Sequence, residues 1–197
     1  EMAIGNLLWP GRRVLVLCNG LFSGRFGEMA AGVGADVTVI EDPNGRPVCA
    51  DLVAQALEKG KFDVVTMVQG ETSSGVLTRD LQEIVKLSRD HGAMTIVDAV
   101  CTLSTMPLKK DDWHIDVVVT GSQKGLSSLP GVSLISFSDR AWETTQNRQG
   151  NKPHWCLDVS RAEKFWGDHC YHYTAPVPAL LALHEALRLI IEETLEQ

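Results

Sequence analysis

Apolar residues along this chain occur in two patterns that alternate. Six short runs rich in valine and isoleucine predict β-strands at residues 13–17, 36–40, 62–67, 94–97, 117–120 and 133–137. Between several of these runs, apolar residues recur every three or four positions, which predicts helices at 26–32, 51–59, 79–90 and 140–146. Asp51 and Thr78 are the expected N-caps of the second and third of these helices.

Both ends of the sequence are helical in pattern. Residues 2–8 predict the tail of a helix that is stopped by Pro10 and Gly11. Residues 176–197 carry leucine and isoleucine at helical spacing with no terminator after them, which predicts a helix that runs on beyond Gln197. We therefore expect the sequence to have been cut from a longer chain at both ends.

Alternation of strands and helices is the pattern of a mostly parallel sheet covered by helices. The sequence therefore predicts an α/β fold with three layers, α/β/α. A length of 197 residues suits one domain, and no repeat or low-complexity linker divides it. The turn-rich residues 149–153 suggest a pause between subregions and not a domain boundary.

Composition narrows the classes of partner and compartment. The chain has 18 basic and 25 acidic side chains, and this net charge of -7 works against a nucleic-acid partner. No apolar run approaches the roughly 18 residues that a membrane span needs, so we expect no membrane partner. Five widely spaced cysteines without a Cys-x-x-Cys pair predict reduced thiols in a soluble intracellular protein. The cytoplasm is the expected compartment, with the peroxisome and the mitochondrion left open.

Polar residues directly follow three of the predicted strands. They are the segment Gln-Gly-Glu-Thr-Ser-Ser-Gly at 69–75, Asp98, and the segment Gly-Ser-Gln-Lys at 121–124. Ligands of open α/β sheets bind at these strand ends. Asp98 follows a buried strand and needs a cation or a hydrogen-bond donor, although a turn or cap role stays open. The amine of Lys124 suits imine chemistry with a carbonyl if it is partly desolvated; the alternative is a solvated surface lysine.

Other chemistries fit the residues less well. The six histidines show no metal-ligand spacing, and no Gly-x-Ser-x-Gly elbow follows a strand, so neither a metal site nor a serine hydrolase is expected. Gly20, Gly24 and Gly27 after the first strand leave a dinucleotide-binding module open, with an acidic pair at the end of the second strand. Their spacing departs from Gly-x-Gly-x-x-Gly, however, and this module leaves Asp98 and Lys124 unexplained.

The segments Val-Asp-Ala-Val at 97–100 and Gly-Ser-Gln-Lys at 121–124 resemble class V aminotransferases of fold type I, which depend on pyridoxal 5'-phosphate. Within that family the chain is most similar to the alanine–glyoxylate and serine–pyruvate group. The resemblance extends from Glu1 to about Glu193 and includes the segments 19–22, 70–76, 134–139 and 171–174. It implies that residues 1–197 form the central part of the cofactor-binding large domain. The N-terminal segment with the phosphate-binding turn and the small C-terminal domain would lie outside this sequence.

The resemblance also implies a role for seven residues. Lys124 would bind the cofactor as a Schiff base and move a proton during the reaction, and Asp98 would pair with the pyridine nitrogen. Phe22 would stack on the ring, with a core aromatic as the alternative. Thr72 and Gln123 would contact the phenolic oxygen and the phosphate, with an ordinary polar loop contact as the alternative. Tyr171 and Thr174 would reach the phosphate in a neighbouring subunit, which implies a homodimer with shared sites. A helix cap with a packing ring is the alternative for these two residues.

The implied reaction transfers an amino group from a small amino acid, of the alanine or serine type, to a 2-oxo acid such as glyoxylate or pyruvate. Ureidoglycine–glyoxylate and aminoethylphosphonate–pyruvate enzymes share much of the framework, so the donor stays open. A cysteine desulfurase-like lyase is an alternative, although Gln123 stands where those relatives usually carry histidine. A fragment that keeps the fold without turnover is another.

Overall fold

A computed structural model of the chain describes residues 1–152 and 154–194 and confirms the predicted α/β fold with a mostly parallel sheet. The strands are β1 Arg13–Leu17, β2 Asp36–Ile40, β3 Val64–Val68, β4 Gly70–Glu71, β5 Val76–Leu77, β6 Met94–Asp98, β7 Val117–Gly121 and β8 Ser133–Phe137. The helices are α1 Met2–Leu7, α2 Leu21–Gly32, α3 Ala50–Lys59, α4 Leu81–Asp90, α5 Asp139–Gln146, α6 Val159–Gly167 and α7 Val177–Glu193. One turn of 3-10 helix spans Trp155–Leu157.

The main sheet has six strands in the order β2, β1, β3, β6, β7, β8. All neighbouring strands are parallel except β7 and β8, which are antiparallel. The strands β3 and β6 end side by side, because Val68 pairs with Asp98, and Asp98 pairs with Val119, two residues before the end of β7. The antiparallel strand β8 begins at the same edge, where Ser133 pairs with Gly121. Four chain segments therefore meet at this edge of the sheet.

Alternating side chains of the buried strands supply two separate cores. Leu15 and Leu17 face one side of the sheet, where they share a core with residues of α3 and α4. Val14 and Val16 face the other side and share a core with residues of α1, α2 and α5. The strand β3, and β1 from Val14 onward, are buried on both faces, as expected of a sheet that helices cover on both sides.

Both predicted N-caps are wrong. The cap positions of α3 and α4 are Cys49 and Asp80, and Asp51 lies inside the first turn of α3. Thr78 is buried, and its hydroxyl is engaged in other hydrogen bonds: it donates to the carbonyl of Val68 at 2.8 Å and accepts from the side-chain amide of Asn19 at 3.1 Å. These bonds connect the end of the β4–β5 hairpin to the sheet, so the hydroxyl is not free to cap α4.

Several boundaries also differ from the sequence prediction. Helix α2 begins at Leu21, five residues before the predicted start, and α6 was not predicted at all. The predicted C-terminal helix is present as α7, and positions 195–197 of that prediction lie outside the described residues.

All five cysteines have free thiols. Among residues 1–152 and 154–194, none of the helices combines the length and apolar character needed to cross a membrane.

Candidate functional site

A cleft of about 610 Å³ opens at the edge of the sheet where β6 and β7 end and β8 begins. Helices α1 and α2 contribute the opposite wall. Residues from all of these elements line it, among them Phe22, Arg25, Asp98, Val119 and Leu134. The cleft lies where open α/β sheets bind their ligands, and it brings together two of the predicted site residues, Phe22 and Asp98.

Asp98 presents a carboxylate to this cleft with only part of its hydrogen-bonding capacity used. Its Oδ1 accepts a hydrogen bond from the backbone N–H of Val100 at 2.8 Å, and Oδ2 has no partner in the described parts of the chain. Burial raises the pKa of Asp98; the Val100 N–H works against this rise, and the negative charge of Glu71 adds to it. A hydrogen-bond donor or a cation in the cleft would satisfy this carboxylate.

Lys124 lies in the turn that follows β7, and the loop after Asp98 holds its main chain in place. The next residue, Gly125, donates its N–H to the carbonyl of Val100 at 3.5 Å and accepts at its own carbonyl from the hydroxyl of Ser104 at 2.6 Å. A Cβ on Gly125 would lie 2.2 Å from the carbonyl oxygen of Leu103, so only glycine permits this close approach. The Lys124 side chain is exposed and does not line the cleft.

Two serines next to Lys124 adopt left-handed backbone conformations. Ser104 has φ 73° and Ser127 has φ 54°, and the N–H of Ser127 donates to the carbonyl of Lys124 at 2.9 Å. Such conformations are uncommon for residues other than glycine and cluster at functional sites, where surrounding contacts hold them. Here the hydrogen bonds of Ser104 to Gly125 and of Ser127 to Lys124 fix the turn that carries Lys124.

Thr72 and Gln123 both belong to loops at this edge of the sheet. Thr72 lies in the turn between β4 and β5, and its Oγ1 is 2.8 Å from the Sγ of Cys101, three residues after Asp98. Gln123 is exposed and folds back toward Gly121. Neither side chain lines the cleft itself.

Tyr171 and Thr174 lie in the segment before α7, and, among the residues that the structure describes, they make hydrogen bonds to each other and not to the other predicted site residues. Their hydroxyls are 2.8 Å apart, and the Tyr171 ring is 76% exposed. Neither residue lines the cleft or forms a hydrogen bond with another of the predicted site residues in the described chain. The structure of a single chain therefore does not bring these two residues into the site.

Glu71 is a charged residue at this site to which the sequence analysis gave no role. It is only 1% exposed, and its carboxylate accepts hydrogen bonds from the N–H groups of Phe22 and Ser23, at 3.2 and 2.8 Å. The hydroxyls of Ser23 and Ser73 donate to it as well, at 2.8 and 2.5 Å. Burial by itself would raise the pKa of Glu71, but these donors together hold that pKa below its usual value. Glu71 is therefore ionised at neutral pH.

The position of Glu71 also bears on the dinucleotide-binding alternative. That alternative requires the N-terminus of the helix after β1 to be open to a pyrophosphate. The first N–H groups of α2 instead donate to Ser73 and Glu71. A Cβ on Gly20 would meet the Ser73 hydroxyl at 2.5 Å, so the turn is filled by the protein itself. The glycines here serve packing and leave no room for a dinucleotide phosphate.

Metal binding has no support in the described residues, 1–152 and 154–194. No group of three or more histidine, cysteine, aspartate or glutamate side chains is arranged to hold an ion there.

A sequence model of the family described as aminotransferase class-V matches residues 2–197. The chain belongs to this family. An alanine–glyoxylate aminotransferase of Felis catus is 37% identical to this class-V chain over 201 residues, covering 100% of the chain and 48% of the relative. An L-aspartate–glyoxylate aminotransferase of Paracoccus denitrificans is 34% identical, covering 100% of the chain and 50% of the relative.

A solved structure shares the fold of this class-V chain almost throughout. The crystal structure of an alanine–glyoxylate aminotransferase from Nostoc sp. superimposes with a TM-score of 0.95 at 37% identity. The superposition covers 99% of this chain and 52% of the Nostoc chain. The present chain thus spans about half the length of the relatives that it matches.

Proposed function

We propose that the protein to which this chain belongs is a pyridoxal 5'-phosphate-dependent aminotransferase. It would move an amino group from a small amino acid, such as alanine, serine or aspartate, to glyoxylate or pyruvate. One observation carries the proposal. In this chain of the class-V family, the carboxylate of Asp98, with only one oxygen hydrogen-bonded, faces a cleft beside the turn that carries Lys124. The names of the relatives support an alanine or aspartate donor and a glyoxylate acceptor.

The residues around the cleft fit this cofactor. Oδ2 of Asp98 has no hydrogen-bond partner in the described chain and would accept from a protonated pyridine nitrogen. The Phe22 ring lines the same cleft and would pack against the face of the cofactor. Thr72 and Gln123, on neighbouring loops, would bind its phenolic oxygen and its phosphate. Lys124 would hold it covalently.

When bound, pyridoxal 5'-phosphate supplies a conjugated ring that accepts the electrons released when the substrate loses its α-proton. The carboxylate of Asp98 would hold the cofactor at its ring nitrogen, because a negative charge in a partly desolvated place favours a positively charged partner. The Nζ of Lys124 would serve as the base that accepts the α-proton of the substrate and as the acid that returns a proton. Hydrogen bonds of the Gly125 backbone hold the turn that carries the Lys124 side chain.

Chemical trapping tests this proposal directly. The purified protein is incubated with pyridoxal 5'-phosphate, reduced with borohydride and digested, and the phosphopyridoxyl group is located by peptide mass spectrometry. We expect the label on Lys124. The Lys124→Gln variant should lose it, whereas Lys86→Gln, which changes an exposed lysine of α4, should keep it. Label spread over surface lysines, or unchanged labelling of Lys124→Gln, would contradict the proposal.

The wider organisation of the protein is part of the same proposal. Residues 1–197 would form the central part of the cofactor-binding large domain, which is supported by the coverage of about half of each relative. Two copies would form a homodimer in which Tyr171 and Thr174 complete the partner's phosphate site; this is supported by their exposure in a single chain, where neither residue lines the cleft. The five free cysteines are compatible with the expected cytoplasmic location.

Subunit mixing tests the shared site. A Lys124→Gln protein and a Tyr171→Phe/Thr174→Val protein should each be nearly inactive. If the sites are shared, mixed dimers contain one site with all of these side chains intact, so unfolding and refolding the two together should restore part of the transaminase activity. Activity no higher than that of the separate variants would refute the exchange of residues between subunits.

A further inference from the structure

Glu71 differs from the other acidic residues of the chain in how it is satisfied. Its side chain is 1% exposed and ionised, yet no salt bridge reaches it from any lysine, arginine or histidine in residues 1–152 and 154–194. Neutral donors alone surround it, and they come from two separate segments, the start of α2 and the β4–β5 hairpin. A buried charge is costly unless every such donor stays in place.

The consequence is a fixed geometry for the first turn of α2. Three successive N–H groups, those of Leu21, Phe22 and Ser23, donate to Ser73 or to Glu71. The carboxylate also lies at the positive end of the helix dipole, which favours its charge. Helix α2 can therefore neither start earlier nor rotate without breaking several hydrogen bonds at once.

This first turn carries Phe22, whose ring is 38% exposed and lines the cleft with Asp98. The Glu71 carboxylate bonds to the backbone of Phe22 itself, so its hold on the ring position passes through a single residue. Glu71 lies just beyond the end of β3, the strand next to β6, which ends at Asp98. One buried acid thus connects the α2 wall of the cleft to the sheet edge that forms its floor.

We propose that Glu71 is a positioning residue for the cofactor, because it anchors the first turn of α2 and thereby holds the Phe22 ring at its place in the cleft wall. The inference rests on the proposed function, in which the cleft binds pyridoxal 5'-phosphate. Glu71 itself does not line the cleft, so it can position the cofactor ring only through Phe22; separately, its charge raises the pKa of Asp98, and that influence does not depend on the Phe22 ring.

A double-mutant cycle on cofactor affinity tests this route. Pyridoxal 5'-phosphate is titrated into the cofactor-free proteins, and binding is followed by the circular dichroism of the cofactor's visible band. Glu71→Gln keeps the size of the side chain but removes its charge and one acceptor oxygen; we expect affinity to fall by roughly twofold to tenfold, the size of one aromatic stacking contact, because the effect passes through the Phe22 ring. The visible band should weaken too. Glu58→Gln, the same change on the exposed face of α3, should bind like the original protein.

The second arm repeats Glu71→Gln in a Phe22→Leu background. If Glu71 acts through the Phe22 ring, most of its effect should disappear there, because residues that act through one another are not additive. An equal fold-loss in both backgrounds would show that Glu71 is a general structural residue and would overturn the inference. Failure of the original protein to bind the cofactor on Lys124 would instead overturn the proposed function, so the two failures are distinguishable.

A milder variant covers the case in which Glu71→Gln does not fold, as judged by far-ultraviolet circular dichroism without cofactor. Ser73 is exposed, and Ser73→Ala removes the hydroxyl that donates to Glu71 and accepts from Leu21. We expect a smaller loss of affinity that again depends on Phe22. An unchanged affinity, or a loss that is the same with Phe22→Leu, would overturn the inference.

Discussion

Replacing Gly125 with alanine tests how the turn that carries Lys124 is held. The φ of Gly125 lies outside the left-handed region, so alanine can adopt the backbone conformation, and any effect comes from contact alone. The new Cβ would lie 2.2 Å from the carbonyl oxygen of Leu103, a separation that has to lengthen to at least 3.0 Å. The Leu103 oxygen belongs to the backbone, and the new Cβ is bonded directly to the backbone at position 125, so no side-chain rotation can relieve the contact. The turn that carries Lys124 and the loop after Asp98 must therefore move apart.

The expected loss follows from what this movement disturbs. Forcing an extra carbon into a packed place costs about 1 to 3 kcal/mol. The hydrogen bonds from Gly125 to Val100 and from Ser104 to Gly125 lie in the same segment, and each contributes about 1 kcal/mol. We therefore expect the Gly125→Ala protein to lose roughly 2 to 4 kcal/mol in its free energy of unfolding.

Urea unfolding of the cofactor-free protein measures this loss, and borohydride trapping of pyridoxal 5'-phosphate on Lys124 measures the displacement of the turn. Gly32→Ala is the matched control, since it adds the same carbon where nothing lies within 4 Å. That control should be as stable as the original protein or slightly more so, because alanine favours helix. A Gly125→Ala protein that matches Gly32→Ala in both stability and labelling would refute the idea that the glycine contact positions Lys124.

Three further substitutions test other parts of the fold. Arg140→Met should cost about 3 kcal/mol in urea unfolding, because Asp116, 1% exposed, would lose its bidentate partner; an unchanged midpoint would contradict this. Thr78→Val should cost about 1 to 2 kcal/mol, because the carbonyl of Val68 and the Nδ2 of Asn19 would lose their hydrogen bonds to the Thr78 hydroxyl; equal stability would argue against the tie between hairpin and sheet. Folding raises the pKa of Asp98 above its ordinary carboxyl value. At a pH between these two values the folded state therefore binds a proton that the unfolded state does not bind, and folding becomes less favourable as pH rises through this range. The ionised form of Asp98 thus destabilises the cofactor-free protein, and Asp98→Asn should be more stable than the original at neutral pH, with the difference vanishing in acid; a difference that grows in acid would reverse the sign of the argument.

Much of the fold was predictable because the strands carry their own signal. The bounds predicted for residues 13–17, 36–40 and 133–137 match β1, β2 and β8, since short runs rich in β-branched residues have few other stable uses. Helix α6 was not predicted although its apolar and polar residues lie on different faces; it is short, and only Val159 in it is buried. The hairpin strands β4 and β5 have two residues each, too few for a period to appear.

The candidate site was predictable where a strand end marked it. Asp98 and the turn of Lys124 follow buried strands, and both lie at the edge of the sheet expected from the pattern. The early start of α2 and the burial of Glu71 depend on contacts between residues about 48 positions apart. No local property of Glu71 distinguishes it from a surface acid, so only the folded chain reveals its partners.

The walls of the cleft come from widely separated parts of the sequence, and this has a consequence for how the protein is made. Phe22 follows β1, Asp98 ends β6 and Leu134 belongs to β8, so the cleft exists only after the distant strands have paired. Strands that are far apart in the sequence pair slowly, and valine-rich strands are prone to aggregate before they have paired. A ligand that binds only the assembled cleft draws the chain toward the native state, by about 2.7 kcal/mol at a hundred times its dissociation constant. If that ligand is pyridoxal 5'-phosphate, as proposed, its supply during synthesis would affect the yield of folded protein as well as the proposed activity.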